Sequence, residues 1–441
     1  MTEGETIAVF YEKFAVGQVH LSASGALSFA YDPRWLATRG NFPLSLTLPL
    51  RRGRFEQEII LPWLANLLPE EEQLAALSRA LGLSTSDALA LLREIGGDTA
   101  GAISIGEPSV RNDWTYESLQ DHYGKPTESQ ALARHFEDLG MRPFLAGEDG
   151  VRLSLAGGQK KTALTVVNED GKPKLGLPQP GDRLAIPKNG APSTIIIKPD
   201  NPRLPGIAEN EAYCLTLAGL IGISAAECTI LEADGRKALA VARYDRSLRN
   251  DGSLRRLHQE DFAQANGIYP GQKYEQGTIP GLDMARLLRT GDHLPPAGAL
   301  ALLDQMIFNI LVANTDAHAK NYSVLLGNGV AMAPLYDVSS VLHWDHVNQY
   351  HAQKIAGKRR KPADIAPRHW NEIARSAGLN ASALRRRTGE IIDAMVAHRV
   401  EATARISSLA GATPEMVEHV AHLVEGNALR VGGRLRGPDG G

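Results

Sequence analysis

Asp316 and Asn321 lie in one polar run, Asn314-Thr315-Asp316-Ala317-His318-Ala319-Lys320-Asn321, directly after the apolar segment Met306 to Ala313. An acid, a cation and an amide in so short a stretch mark a place where a buried helix surfaces at a site. The spacing suggests the chemistry. Asp316 and Asn321 are five positions apart, as in phosphotransfer loops where the acid accepts a hydroxyl proton and the amide oxygen holds Mg²⁺. Many polar loops share that spacing, so the neighbouring elements decide.

After Asn321 come Tyr322-Ser323-Val324-Leu325-Leu326, the turn Gly327-Asn328-Gly329, then Val330 to Leu335 and Tyr336-Asp337. Two short apolar strands around Gly-Asn-Gly predict a hairpin, whose ends meet. Asn321 and Asp337 then lie side by side with Asp316 close by. Two oxygen ligands beside a third carboxylate suit Mg²⁺, which takes few protein ligands. The plainer alternative has Asp337 capping a turn and Asn321 bonding backbone.

Three upstream stretches could complete such a site. Arg152 to Thr162 holds Gly157-Gly158 flanked by Ser154, Gln159 and Lys160, a turn whose N–H groups can face a phosphate. It lacks the G-K-[ST] ending of a Walker loop and equally fits an ordinary hairpin turn. Ser193 to Pro199 reads as a buried strand carrying one lysine, Lys198, which must reach solvent or an anion. A helix over Glu209 to Gly222 offers Glu209 or Glu211 as a partner for it, or as charges favouring the helix dipole. Ala238 to Arg246 is a further core strand running into a polar turn.

These pieces must be positioned by the rest of the chain. Residues 5–31 alternate apolar and polar with Ser-Gly turns, predicting short antiparallel strands, and Pro43 to Pro49 predicts an edge strand. The period turns helical from Ile60 to Leu92, Gly96-Gly97-Asp98 closes it, and Ala100 to Ile105 returns to strand. A first α+β domain is expected over 1–108 and a connector over 109–150, with one helix at Glu128 to Leu139. A nucleotide-binding part comes next over 151–250, then a helical part over 251–428 and a flexible tail over 429–441.

At 441 residues and a formal net charge of −3, bulk positive charge for gripping nucleic acid is missing. The basic runs Lys358 to Lys361 and Arg385 to Arg387 read as solvated faces, with nucleic-acid contact as the alternative. Two cysteines, Cys214 and Cys228, make no disulfide framework and point to a reducing compartment. The acidic start, Met1 to Ala8, lacks a leader pattern and no apolar run approaches 18 residues, so a soluble cytoplasmic protein without membrane partners is expected.

Taken together, Ser154 to Thr162, Ile197-Lys198, Asn210-Glu211, Arg243-Tyr244-Asp245-Arg246, His258-Gln259-Glu260-Asp261, Asp316 to Asn321 and Tyr336-Asp337 resemble the HipA family of toxin kinases. Asn66-Leu67-Leu68-Pro69 and Glu94 to Asp98 extend the resemblance to the family's N-terminal domain. It implies an α+β, two-lobed protein-kinase-like fold: an N-terminal α/β lobe with an extra small N-terminal domain, and a mostly helical C-terminal lobe. It also implies an ATP- and Mg²⁺-dependent serine/threonine kinase. Asp316 would be the general base, Asn321 and Asp337 the Mg²⁺ ligands, and Lys198 a contact to ATP phosphates, with His318 near them. Ser154, Leu155, Ala156, Gly157 and Gly158 would cover the phosphates, Ser154 doubling as an inhibitory autophosphorylation site. Arg243 and Tyr244 would line the adenine pocket, where Ala242 stands in place of a Glu of the best-known member. Implied partners are a HipB-like helix-turn-helix antitoxin, operator DNA through that complex, and an aminoacyl-tRNA synthetase as substrate, the glutamyl enzyme first. Two other functions fit some of the residues: a DNA-bound corepressor with a vestigial site, and a small-molecule kinase.

Overall fold

In the computed structural model, which describes residues 5–275 and 281–436, the alternation over 5–31 becomes the antiparallel strands Glu5–Tyr11, Phe14–Leu21 and Leu27–Tyr31. Arg54–Glu56 and Ile103–Ile105 pair at the two edges and complete a five-stranded sheet. Alternate residues of these strands, among them Val9, Val19 and Phe29, face a core shared with Ile60, Trp63 and Leu92 of the helices Gln57–Ala65 and Ala88–Ile95. A third helix, Glu71–Leu81, lies between those two in the chain.

Residues 43–49 are a tight turn and not the expected edge strand. Two prolines lack donors, and side chains take up much of the remaining backbone. Leu44 N–H donates to Tyr31 Oη at 2.8 Å, Leu46 N–H to Glu260 Oε1 at 2.8 Å, and Leu48 N–H back to Ser45 O at 3.0 Å.

A second sheet runs in the order Thr115–Ser118, Arg183–Lys188, Thr162–Val167, Ile195–Pro199, Arg236–Ala242, Cys228–Ala233, with Pro173–Lys174 paired to Thr162–Val167. The stretch 109–150 is therefore more than a connector. It supplies the edge strand and the helix Glu128–Met141, which opens with a Thr127/Gln130 capping box and buries Leu132, Phe136 and Leu139.

Contacts divide the chain into two units. The first holds Met1–Pro199, Glu232–Pro270 and Leu325–Gly329; the second holds Asp200–Leu231, Gly271–Val324 and Val330–Gly441. The five-stranded sheet and all of the second except residues 228–231 fall in the first. The second is dominated by Ile207–Leu220, Pro296–Leu311, Ala381–Ser407 and Pro414–Arg436. Ile207–Leu220, expected inside the nucleotide-binding part, packs on Ala381–Ser407 and Pro414–Arg436 because nearly every side of it is buried. The last helix also runs through much of the expected flexible tail, held by buried Ala428 and Val431. Residues 1–4 of the acidic start and 437–441 of the tail lie outside the described residues. Among the described residues no helix is long and apolar enough to cross a membrane.

Candidate active site

The helix Pro296–Leu311 ends in a Schellman arrangement that launches the polar run. Ala313 N–H donates to Ile310 O at 3.2 Å and Asn314 N–H to Asn309 O at 2.8 Å, with Ala313 at φ 59°. That conformation costs an alanine about 1–2 kcal/mol, so the bonds of the next residues must hold it. Asn314 Nδ2 donates to Asn309 Oδ1 at 2.8 Å while its Oδ1 accepts Asp316 N–H at 3.2 Å. From Asp304 to Val324 every residue is buried except Asp316, which is exposed. Asn321 Nδ2 donates to the Asp316 carbonyl at 2.9 Å, so the five-residue spacing closes a loop on itself. The loop is clamped from outside by Thr315 Oγ1 on Asn348 O at 2.8 Å and Gln353 Nε2 on Ala317 O at 3.1 Å.

The hairpin expected from Gly-Asn-Gly is present as Ser323–Gly327 and Gly329–Met332, and Ala333 N–H closes it on Ser323 O at 2.9 Å. Tyr336 Oη then donates to Lys320 O at 2.7 Å and lies 2.7 Å from Ser323 Oγ. That pins Tyr336-Asp337 against the end of the 316–321 loop. Asn314 Nδ2 also reaches Asp337 O at 3.4 Å, and Asp337 sits at φ 57°, a conformation aspartate tolerates better than most residues. His318 is buried with no hydrogen-bond partner on Nδ1. Burial, then Lys273, hold its pKa well below the usual histidine range against the pull of Asp337, so the ring is neutral and has one nitrogen to offer a ligand.

Sequence reasoning missed Tyr274. Its hydroxyl donates to Asp316 Oδ1 and its ring meets His318 edge-on at 4.9 Å. Forty-two residues separate it from the acid, and nothing in the local pattern Lys273-Tyr274-Glu275 signals the contact.

In the first unit, Ser154 is fully buried and its Oγ donates to Leu67 O at 2.7 Å. Ser154 N–H donates to Asp98 O at 3.1 Å, and Glu70 N–H to Gly157 O at 3.2 Å. The loop Ser154, Leu155, Ala156, Gly157, Gly158 is thus ordered and seated on the segments 66–70 and 96–98. Gly157 must be glycine: its φ is 103°, and a Cβ there would come within 2.8 Å of Lys161 Nζ. Lys198 lies opposite Leu239 in the sheet and is 8% exposed, so the solvent alternative for it is removed.

Arg243 and Tyr244 carry no open pocket on their side chains. The Arg243 guanidinium donates to Asp245 at 2.9 and 2.7 Å, to Ser193 Oγ at 3.0 Å and to Thr99 O at 2.9 Å, and its backbone N–H donates to Thr194 O at 2.9 Å. Tyr244 Oη donates to Gln259 Oε1 at 2.5 Å. Arg243 belongs to a buried network with Asp98, Asp245, Arg246 and Arg256. Burial alone would raise the Asp98 carboxyl, but Arg246, Arg256 and Arg243 bring it well below the usual carboxylate range. Asp98 also accepts Ser193 N–H and Oγ at 2.9 and 2.6 Å, so the Gly-Gly-Asp signature organises strand ends as well as the Ser154 loop.

The two basic runs part company. Arg387 is tied to Asp304 at 2.8 and 2.7 Å, a structural pair, whereas Arg359 and Lys361 lie over the Tyr350 ring at 5.1 and 5.7 Å. Among the described residues no three His, Cys, Asp or Glu side chains cluster as a metal site. One amide oxygen at Asn321 and one carboxylate at Asp337 are the donor set that Mg²⁺, keeping several waters, accepts.

Sheet-rich and helix-rich units with a closed D-x-x-x-x-N loop and a following Asp define a two-lobed protein-kinase-like fold. A sequence model of the HipA N-terminal domain matches residues 7–106, and one of the HipA-like C-terminal domain matches 153–401. The chain is 38% identical over 400 residues to the candidate kinase Y4mE of Sinorhizobium fredii, covering 90% of this chain and 91% of that protein. It is 30% identical over 365 residues to the serine/threonine-protein kinase toxin HipA of Shewanella oneidensis, covering 79% and 78%. A chain from the solved Shewanella oneidensis MR-1 complex of HipA, HipB and operator DNA superposes with a TM-score of 0.80 at 25% identity, covering 97% of this chain and 98% of that one. The chain belongs to the HipA family and is a serine/threonine protein kinase.

Proposed function

We propose that this kinase is the toxin of a cytoplasmic toxin–antitoxin pair, using ATP and Mg²⁺ to phosphorylate a translation component and so arrest growth. The observation that carries the catalytic part is Asp316, the single exposed residue in a run of buried ones, with Asn321 bonded to its carbonyl. Bound ATP with Mg²⁺ supplies the phosphoryl group and neutralises its developing charge. Asn321 Oδ1 and the Asp337 carboxylate would hold the cation. Lys198 and neutral His318 would contact phosphates, and the N–H groups of Ser154 to Gly158 would cover them. Arg243 through its carbonyl oxygen and Tyr244 through its backbone would meet adenine, which makes Ala242 no obstacle. Asp316 orients the acceptor hydroxyl and takes its proton, so the chain contributes positioning and charge more than covalent chemistry.

The partners in this reading are a helix-turn-helix antitoxin like HipB and, through it, operator DNA. The likeness over 97% of the chain to a component of the HipA, HipB and DNA complex supports both. The substrate in this reading is an aminoacyl-tRNA synthetase, the glutamyl enzyme first, and Ser154 is a self-inhibitory phosphorylation site. Phosphoproteomics after brief induction of wild type and of Asp316→Gln tests it. The expected result is a new phosphoserine or phosphothreonine on a synthetase, and growth arrest, in wild type alone. Growth arrest by wild type without any new phosphorylated protein would overturn it.

A further inference from the structure

Beside the 316–321 loop the second unit contains a cavity of about 300 Å³ whose lining, Asp316 apart, has no assigned role. Asp316 and Tyr274 form part of its wall, and Val341, Trp344, Val347 and Tyr350 are the larger apolar residues of the rest. Trp344 is fixed there by its indole N–H on Pro205 O at 3.1 Å, and the 348–353 stretch is fixed through Asn348 O and Gln353 to the catalytic loop itself. The cavity is therefore part of the same rigid piece as Asp316. Its lining is mostly aliphatic and aromatic, with Thr315, Ser339 and Asn348 as its neutral polar members and Asp316 as its one acid.

Two further observations identify the occupant. First, a hydroxyl already reaches Asp316 Oδ1 from within this cavity, that of Tyr274. A hydroxyl donating to the general base is the contact an acceptor must make, so Tyr274 marks where the acceptor hydroxyl goes. Second, the basic run Lys358 to Lys361, unexplained by any ion pair with the catalytic loop, places Arg359 and Lys361 on the Tyr350 ring, at 5.1 and 5.7 Å. Cations thus stand at one aromatic wall of the cavity.

We propose that the cavity beside Asp316 is the acceptor subsite: it holds the bulky apolar side chain next to the phosphorylated Ser or Thr of a protein substrate, with Arg359 and Lys361 facing a carboxylate further along that segment. The inference deepens the kinase reading and rests on it. In the step served, the acceptor oxygen forms the new P–O bond, the bond between the γ-phosphorus and the β–γ bridging oxygen breaks to release ADP, and the acceptor proton passes to Asp316. A methylene-rich neighbour seated against Val341, Val347 and Tyr350 displaces water around that oxygen. Pockets of this kind discriminate one or two methylenes by about 10- to 200-fold.

The test uses the full chain with ATP and Mg²⁺ on a library of short peptides carrying one Ser or Thr with varied neighbours, and on whole lysate. The expected result is label on peptides whose Ser or Thr adjoins Leu, Ile, Met or Phe, at least tenfold over Ala or Lys at that position. Tyr350→Ala, at an exposed position, should reduce that ratio toward one, and charge reversal at Arg359 and Lys361 should reverse the preference at more distant acidic positions. Label without an apolar preference, a preference unchanged in Tyr350→Ala, or label confined to folded proteins overturns the subsite while leaving the kinase reading standing. No label on any peptide, on lysate or on the enzyme itself removes both.

Discussion

Replacing Ser154 by Asp should unseat the loop that carries it. Three hydrogen bonds hold that loop: Ser154 Oγ to Leu67 O at 2.7 Å, Ser154 N–H to Asp98 O at 3.1 Å, and Glu70 N–H to Gly157 O at 3.2 Å. At about 0.5–1.5 kcal/mol net each, they hold it by about 3 kcal/mol. A carboxylate in place of the hydroxyl points at a carbonyl oxygen in a fully buried site, where an unpaired charge costs several kcal/mol. The side chain can escape that only by taking up a proton, which restores a donor to Leu67 O but costs about 4 kcal/mol at pH 7 for an ordinary aspartate. Either way the penalty exceeds the hold, and a phosphate, with more charge, exceeds it further. Ser154→Ala loses one hydrogen bond, about 1–2 kcal/mol, and should stay seated. Hydrogen exchange read on peptides spanning 66–72 and 151–160 measures seating, and trypsin cleavage after exposed Lys160 gives an independent reading. The expected outcome is lost protection in both peptides and at least tenfold weaker binding of a fluorescent ATP analogue for Ser154→Asp at pH 7, with protection returning toward pH 5. Wild-type protection and nucleotide binding in Ser154→Asp at pH 7 would refute the reasoning.

Three more perturbations have definite signs. Burial pushes the Glu260 carboxyl up to about 8, against the pull of Ser45 and of Leu46 N–H. Its folded pKa lies above the unfolded value of about 4.3, so its stabilising contribution is complete below that value and is lost as pH rises to about 8. Glu260→Gln should flatten the pH dependence of the urea midpoint between pH 5 and 8; an unchanged slope contradicts the assignment. Ala313→Gly relieves a left-handed alanine at φ 59° and should raise the thermal midpoint of the second unit, by about 0.5–1 kcal/mol in stability; a lower midpoint would show that the loop is not strained there. Tyr274→Phe removes the hydroxyl on Asp316 and should lower KM for the acceptor severalfold with KM for ATP unchanged; a fall in kcat alone would make Tyr274 a support for the base instead.

How much was legible in the sequence depended on distance along the chain. The closed loop from Asp316 to Asn321 and the hairpin after it were readable because their logic is local: a five-residue spacing and a Gly-Asn-Gly turn. Strand alternation over 5–31 was readable for the same reason. Pro43 to Pro49 misled because alternation fixes which side chains are buried but not who accepts the backbone; Tyr31 and Glu260, remote in sequence, took that role. The Asp98 network was hidden because Arg243, Arg246 and Arg256 look like any surface charges until the fold buries them. The one local hint was paired glycines before Asp98: a Cβ at Gly97 would lie 2.7 Å from the Arg152 Cβ, so a close chain approach was encoded there. Tyr274 on Asp316 left no hint at all.

The central claim is that Asp316 is the base of a protein kinase, and phosphoryl transfer by Asp316→Gln measures it most directly. Wild type and variant, shown by circular dichroism and equal nucleotide binding to be folded alike, are incubated with γ-labelled ATP and lysate. The account predicts labelled protein with wild type and at least a hundredfold less with the variant, since an exposed side chain is changed without disturbing Asn321 on the backbone carbonyl. Equal labelling by a folded Asp316→Gln would contradict it.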